Sequence, residues 1–369
     1  FDAWLGDAAN PAPAAIAPED PFNIIYSSGT TGTPKGIVQP HAMRWAHIAH
    51  NAAAGFGDAV TMIATPLYSN TTLVSFIPTL GWGGTAVLLG KFDARTFLEA
   101  AAKHRGTHAM LVPVQYQRIM AVADFDSFDL SSFRLKTCTS APFSPALKSD
   151  VLARWPGMLI EYYGMTEGGG TCVLMCNMFP NKLHTVGMPV PGHDIRLIDD
   201  EGREVAQGET GEVVGRSPAM MSGYHGRKQA SADAEWFDAE GNRYIRHGDV
   251  GRFDEDGFLT LMDRKKDLII SGGFNIYPSD LEAELGKHPA VRDCAVVGVP
   301  SEQWGETPVG FYVPADETPA DTVLASVNAG LGKTQRLAAL LPIGELPRSA
   351  IGKVLKRELR DRYLEALPA

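Results

Sequence analysis

Cysteine is scarce: Cys138, Cys172, Cys176 and Cys294 are the four in 369 residues, scattered and without a CxxC pair. That argues against a disulfide-stapled scaffold and against a zinc site built from cysteines, and makes a reducing compartment the default. Basic charge is also short. Lys+Arg 33 against Asp+Glu 43 gives a formal net charge of -10, so the chain as a whole repels phosphate backbones, which speaks against nucleic acid as its main partner. Between Ala59 and Gly90 there is no charge at all. This stretch has the length of a membrane span, but Pro66, Pro78, the polar run Ser69-Asn70-Thr71-Thr72 and Gly81, Gly83 and Gly84 interrupt it, and it reads as buried core. No basic-then-apolar leader is visible, so a cytoplasmic location is expected.

What is present describes a folded protein. The composition is 44% hydrophobic and 21% charged, with Gly 38 and Pro 25 spread along the chain, and the length suggests two domains or a large one with a small partner. Residues 1 to 20 end in an Ala/Pro tract that reads as a linker. Apolar runs of strand length follow at Asn23 to Tyr26, Val60 to Thr65, Thr85 to Leu89, His108 to Val112 and Leu135 to Cys138. Helical stretches separate them, one led by Asp93 as N-cap and one over Ser144 to Trp155. This βαβ alternation predicts a parallel sheet with helices on its faces. After about Thr185 the pattern changes to short strands with Gly/Asp turns, which fit antiparallel hairpins, and the pair Gly251 to Phe253 and Phe258 to Met262 is read across Asp256-Gly257. From Asp267 a third regime begins, with a capping box at Ser279-Asp280-Leu281-Glu282 and strands at Ala295 to Val299 and Val309 to Val313. The charged stretch Asp263 to Asp267 is read as an exposed connector and the domain boundary.

The sharpest local signal is Tyr26-Ser27-Ser28-Gly29-Thr30-Thr31-Gly32-Thr33-Pro34-Lys35-Gly36, directly after a predicted strand. Hydroxyl and glycine residues in succession allow backbone N–H and side-chain O–H groups to turn toward one anion, with Lys35 able to approach the same charge. The loop does not match GxxxxGK[ST], and taken alone it reads equally as a flexible hairpin loop. His41, His47 and His50 fall on one predicted helix without an acidic partner or an HExxH pattern and are not read as metal ligands. Cys172 and Cys176 are read as small hydrophobes.

Residues SSGTTGTPKG (27–36) resemble the signature of the adenylate-forming superfamily, which includes acyl-CoA synthetases, aryl-CoA ligases, luciferases and nonribosomal adenylation domains. Four further segments resemble its motifs in the same order: Tyr162-Tyr163-Gly164-Met165-Thr166-Glu167, Gly248-Asp249-Val250-Gly251, Arg264 to Pro278, and Pro347 to Lys353. The resemblance implies an α/β fold: a large N-terminal domain (1–265) with parallel sheets flanked by helices and a β-rich subdomain at about 185–263, followed by a mobile small α+β C-terminal domain (266–369). It also implies activation of a carboxylic acid by ATP with Mg²⁺, then transfer to coenzyme A. Because a carboxylate does not react with a thiol at pH 7, a mixed anhydride must form first, and attack at the α-phosphate needs charge stabilisation above all.

By the same resemblance, Ser27, Ser28, Gly29, Thr30, Thr31, Gly32 and Lys35 hold the β- and γ-phosphates. Thr166 bonds the α-phosphate, Glu167 helps hold Mg²⁺, Tyr163 and Gly164 lie against adenine, and Asp249 accepts both ribose hydroxyls. Arg264 contacts ribose or phosphate, Lys353 bridges the acyl carboxylate and the α-phosphate, Lys266 is the hinge, and Gly272 and Gly273 line the pantetheine channel. The acyl pocket draws on Leu67 to Asn70 (Tyr68, Ser69), Ser140 to Pro142 (Ser140, Ala141) and Gly164 to Gly170 (Gly168), where the glycine run is expected to leave space. Many relatives carry His where Ser69 stands. No Asp stands near the first segment to pair a substrate ammonium, and none of the three contains Arg or Lys. A hydrophobic fatty or aromatic acid is therefore expected. Loading of a carrier protein's phosphopantetheine, or nucleotide binding without turnover, are the alternatives. Relatives carry an α/β subdomain ahead of the phosphate loop, so a longer chain before Phe1 is expected, as are an apolar patch around Ala59 to Gly90 and poor solubility or weak activity without that subdomain.

Overall fold

Short apolar runs separated by amphipathic helices can pair in parallel only when the helix carries the chain back across the sheet. A computed structural model describes residues 15–27, 34–49, 54–333, 335–349 and 352–366, and it contains such a sheet. Seven strands are ordered Thr85–Leu88, Val60–Ile63, His108–Leu111, Leu135–Cys138, Met158–Gly164, Thr171–Met175, Met188–Pro189. The first five run parallel and the last two join antiparallel. The uncharged stretch becomes two of these strands and the helix Asn70–Gly81. Asp93 caps the helix Ala94–Lys103 by accepting from the Thr96 N–H at 2.8 Å, and Ser144 caps Pro145–Arg154 likewise. The core of this layer gathers Phe97, Tyr116, Phe125, Phe133 and Phe143 around the buried Trp155. No helix among the described residues is long and apolar enough to cross a membrane.

The run Asn23 to Tyr26 is a correction to the parallel reading. Strand Pro21–Ser27 pairs antiparallel with Lys35–Pro40, which also takes Gly223–Tyr224 as a neighbour. The connection between the first two strands is too short for a crossover, so only a hairpin is available. A second antiparallel sheet joins Asp194–Ile198, Thr210–Arg216, Arg243–Phe253, Glu235–Phe237 and Leu259–Arg264. The last sheet pairs Phe274–Ile276, Ile269–Ser271, Gly305–Pro314 and Val291–Ser301, with Ala339–Pro342 parallel at its side. It packs on the helices Pro278–Leu285, Ala320–Gly330 and Lys356–Ala366.

One local expectation at this end of the chain is corrected. Ser279 does not cap its helix. Pro278 already occupies the first helical turn with Tyr277 as N-cap, so Ser279 points back to strand Leu259–Arg264. Its N–H donates to Asp263 Oδ2 at 2.8 Å and its hydroxyl to the Met262 carbonyl. Glu282 pairs with Lys356 at 2.8 Å and accepts the Val296 N–H. The terminal helix starts at Lys356, so Lys353 stands outside it. A backbone bridge between Arg348 and Val354 and a left-handed Gly352 (φ 79°) hold Lys353 in a tight loop ahead of it.

The core of the large sheet contains a buried ion pair. Lys148 (1% exposed) meets Glu161 (4%) and donates to the Leu183 and Thr185 carbonyls. Burial pushes the Glu161 carboxyl up to about 7, with Lys148 holding it back from rising further. Lys148→Met strands that carboxyl, and a loss of about 3 to 5 kcal/mol is expected. With a folded pKa above the unfolded one, the protonated form is favoured by folding, so stability falls as pH rises through the folded pKa. Denaturant melts of Lys148→Met should therefore show a larger deficit at pH 8 than at pH 5.

Candidate active site

The long strand Arg243–Phe253 sets the floor of the site. Its Asp249 stands opposite Arg264 in the antiparallel register with Leu259–Arg264, and the two side chains pair, Nε to Oδ1, at 3.0 Å. The second carboxylate oxygen of Asp249 accepts the Tyr163 hydroxyl at 2.9 Å. Tyr163 is 9% exposed and comes from the end of the central strand Met158–Gly164. Two sheets thus meet at one carboxylate.

Lys353 reaches the same place from the small C-terminal sheet and its helices. Gly352 lies so close to the large sheet layer that a Cβ there would come within 2.5 Å of Val114. Burial first, and then the Arg264 guanidinium, lower the Lys353 ammonium to about 8, with Asp249 pulling the other way. Lys266 is lowered as well, first by burial, with Arg264 and Arg360 adding to the effect against Asp267. Among the described residues, the Lys353 ammonium has no carboxylate within ion-pair distance. Arg264, Lys266 and Lys353 therefore outnumber Asp249 and Asp267, the two acids that act on the lysines, in a partly desolvated space. That excess of positive charge fits a polyphosphate anion and would be unfavourable without one.

Glu167 is held from a strand that sequence reasoning did not single out. The Tyr224 hydroxyl donates to Glu167 Oε1 at 2.9 Å, and the Lys35 ammonium lies 4.8 Å from the centroid of the Tyr224 ring. Tyr224 therefore ties the start of the phosphate-loop strand to the carboxylate. One carboxylate whose second oxygen has no hydrogen-bond partner among the described residues suits Mg²⁺, which takes few protein ligands and completes its shell with phosphate and water. No group of three or more His, Cys, Asp or Glu able to hold a metal occurs among the described residues. Ser28, Gly29, Thr30, Thr31 and Gly32 lie outside the described residues, and Ser27 is described for its backbone alone.

Gln39 is a second residue missed. Fully buried, it donates to the Thr166 carbonyl at 2.8 Å and approaches Asn70 Oδ1 at 3.4 Å, while Arg44 donates to its oxygen. The Ser140 and Thr71 hydroxyls bond at 2.6 Å. These links bring the three predicted pocket segments together. Ser140 is non-glycine at φ 83°, a strained conformation that costs about 1–3 kcal/mol and is held by its surroundings. Ala141 follows it, Tyr68 is 71% exposed, and Ser69 precedes the helix Asn70–Gly81 without a side-chain cap.

The glycine run does not leave space, which corrects the expectation. A Cβ on Gly168 would lie 1.8 Å from the Ala219 carbonyl, one on Gly169 2.7 Å from Ile245, and one on Gly170 2.4 Å from Ile195. The missing side chains let the loop press against the β-rich layer. Gly272 and Gly273 turn left-handed (φ 58° and 82°) at the tip of the hairpin Ile269–Ser271/Phe274–Ile276, with the Trp304 ring across Gly272. Around them Ile270, Phe274 and Trp304 are 56%, 61% and 46% exposed.

Residues 2–225 match the AMP-binding enzyme family and residues 280–353 the AMP-binding enzyme C-terminal domain. The chain belongs to the adenylate-forming AMP-binding enzymes, of the acyl-CoA synthetase type. Ligases of this family are ATP-dependent enzymes that use ATP, Mg²⁺ and CoA on a carboxylic acid. The chain is 36% identical to a feruloyl-CoA synthase of Amycolatopsis sp, over 97% of this chain and 73% of that protein. With an indoleacetate–CoA ligase of Aromatoleum aromaticum it shares 35% identity, over 96% of this chain and 70% of the other. Among solved structures, the amide bond synthetase McbA from Marinactinospora thermotolerans matches with a TM-score of 0.82 at 32% identity, covering 92% of this chain and 68% of that one.

Proposed function

We propose that this protein activates a hydrophobic carboxylic acid, aromatic before fatty, as its acyl-adenylate and transfers the acyl group to CoA. The observation that carries the reading is the placement of Lys353 within electrostatic reach of the Asp249–Arg264 pair. Asp249 accepts the ribose hydroxyls, and Arg264 holds that carboxylate while facing the phosphates. Thr166 bonds the α-phosphate, Lys35 and the loop ahead of it hold the terminal phosphates, and Glu167 offers Mg²⁺ its second oxygen. Bound Mg²⁺ supplies charge neutralisation on the phosphates. The Lys353 ammonium stabilises the negative charge that grows between carboxylate and α-phosphate. The chain divides at Lys266, where residues 266–369 turn against 1–265 so that Gly272 and Gly273 present the pantetheine thiol in the second half-reaction.

The aromatic preference draws on the feruloyl- and indoleacetate-CoA relatives and on pocket segments without Lys or Arg, in which a second substrate carboxylate would have no partner. A cytoplasmic location agrees with the unpaired cysteines. The test is a panel of aryl and fatty acids scored by pyrophosphate release, followed by mass spectrometry of the CoA product. Pyrophosphate release with aryl acids and an aryl-CoA product supports the proposal. Turnover only with a carrier protein or an amine as acceptor, or no turnover at all, overturns it.

A further inference from the structure

His247 lies on strand Arg243–Phe253, 6% exposed and two residues before Asp249. Its Nε2 is 2.6 Å from the Gly169 carbonyl, which can only accept, so Nε2 carries a proton. Its Nδ1 is 2.9 Å from the Tyr163 hydroxyl, the same hydroxyl that lies 2.9 Å from Asp249 Oδ2. One hydroxyl proton therefore faces two acceptors, the ring and the carboxylate. We propose that His247 is a positioning residue shared by the two halves of the site, fixing Gly169 of the acyl-side loop through Nε2 and, through Nδ1 and Tyr163, orienting Asp249 for ribose.

The charged groups facing the ring are Asp249 and Glu167, which favour its protonation, and Arg264, which opposes it; burial is the largest influence and lowers the pKa. A neutral ring with its proton on Nε2 leaves Nδ1 as an acceptor. When ribose hydroxyls donate to Asp249, the carboxylate is satisfied from outside and Tyr163 can turn its proton to Nδ1. The Gly168–Gly170 loop has no room to move toward the strand, because a Cβ on Gly169 would stand 3.2 Å from Nε2 and 2.7 Å from Ile245. Nucleotide and acyl sides thus share one imidazole.

The inference rests on the reading of Asp249 as ribose acceptor, and the two can fail separately. His247→Gln extends an amide to the Nε2 position, keeping Gly169 and losing Tyr163; His247→Asn stops near Nδ1, keeping Tyr163 and losing Gly169. Loss of one hydrogen bond predicts an increase of about tenfold in KM for ATP with His247→Gln and of about tenfold in KM for the acid with His247→Asn, the other KM staying unchanged. Tyr163→Phe keeps the ring shape and tests the link even where a histidine variant folds poorly. It should raise KM for ATP as His247→Gln does, and the double variant should add nothing further. Parallel changes in both KM values, or additive effects in the double variant, overturn the assignment of two separate contacts to His247. If Asp249→Ala leaves KM for ATP unchanged, the ribose reading itself falls. If Asp249→Ala raises it and His247→Gln does not, only the role of His247 falls.

Discussion

Lys353→Ala is expected to slow pyrophosphate release on the order of 10² to 10³-fold, roughly 3 to 4 kcal/mol, as for the loss of one preorganised charge stabiliser. Thioester formation from supplied acyl-adenylate should be spared, because the ammonium acts on charge that develops only in the first step. The position of Lys353 adds a pH dependence. Burial and Arg264 bring its pKa down to about 8, so the cation is present below that pH and is lost as pH rises through it. kcat/KM for adenylation, which reports the free enzyme, should therefore decline above about pH 8. Lys353→Arg should move that decline upward, since a guanidinium does not titrate there. Equal losses in both half-reactions with Lys353→Ala would remove the assigned role.

Lys266→Pro should give the opposite pattern, with pyrophosphate release reduced far less than CoA thioester formation, since the first step loses one of three cations and the second loses its pivot. Lys266 sits in the turn after strand Leu259–Arg264, where the Lys265 N–H donates to Gly248 and the Asp267 and Leu268 N–H groups to Arg264. The Lys266 N–H is not one of the donors in this turn, so proline removes no hydrogen bond from it while fixing φ near -65°. The arrangement in which Lys353 lies within electrostatic reach of Asp249 is the one it should retain. Misplacing the thiol acceptor edge then costs on the order of 10²-fold in the second step, the scale seen when reacting groups are displaced by about 1 Å. Rapid-quench measurement of the two steps separates them, and an unchanged ratio would put the pivot at another residue.

The sequence made the motif residues legible and left their supports hidden, for a physical reason. Lys353, Asp249 and Glu167 stand in local patterns whose chemistry can be read over a few residues. Gln39, Tyr224 and His247 act on partners 127, 57 and 84 residues away, and only tertiary packing brings such pairs together. A buried Gln in a strand or a His before Gly-Asp carries no local signal of that kind. The parallel sheet followed from its alternating runs, while the first strand was misplaced because its length and composition do not distinguish a hairpin from a βαβ unit. At Ser279 the Ser-x-x-Glu spacing satisfies the capping pattern even though Pro278 starts the helix a residue earlier. Gly168 to Gly170 looked like room for a ligand and proved to be room for Ala219, Ile245 and Ile195.

The Trp304 ring over Gly272 gives the protein a built-in optical probe. With Lys353 in reach of Asp249, the indole is 46% exposed, beside a hairpin tip carrying exposed Ile270 and Phe274. Rotation of residues 266–369 to bring Gly272 and Gly273 to the thiol would carry the indole from water into a contact. Its emission should then shift to the blue when a non-reactive CoA analogue is added to the adenylate-bound enzyme, and Trp304→Phe should abolish the shift. Stopped-flow fluorescence would time the rotation in an unlabelled enzyme and show whether it, or the chemistry, limits turnover.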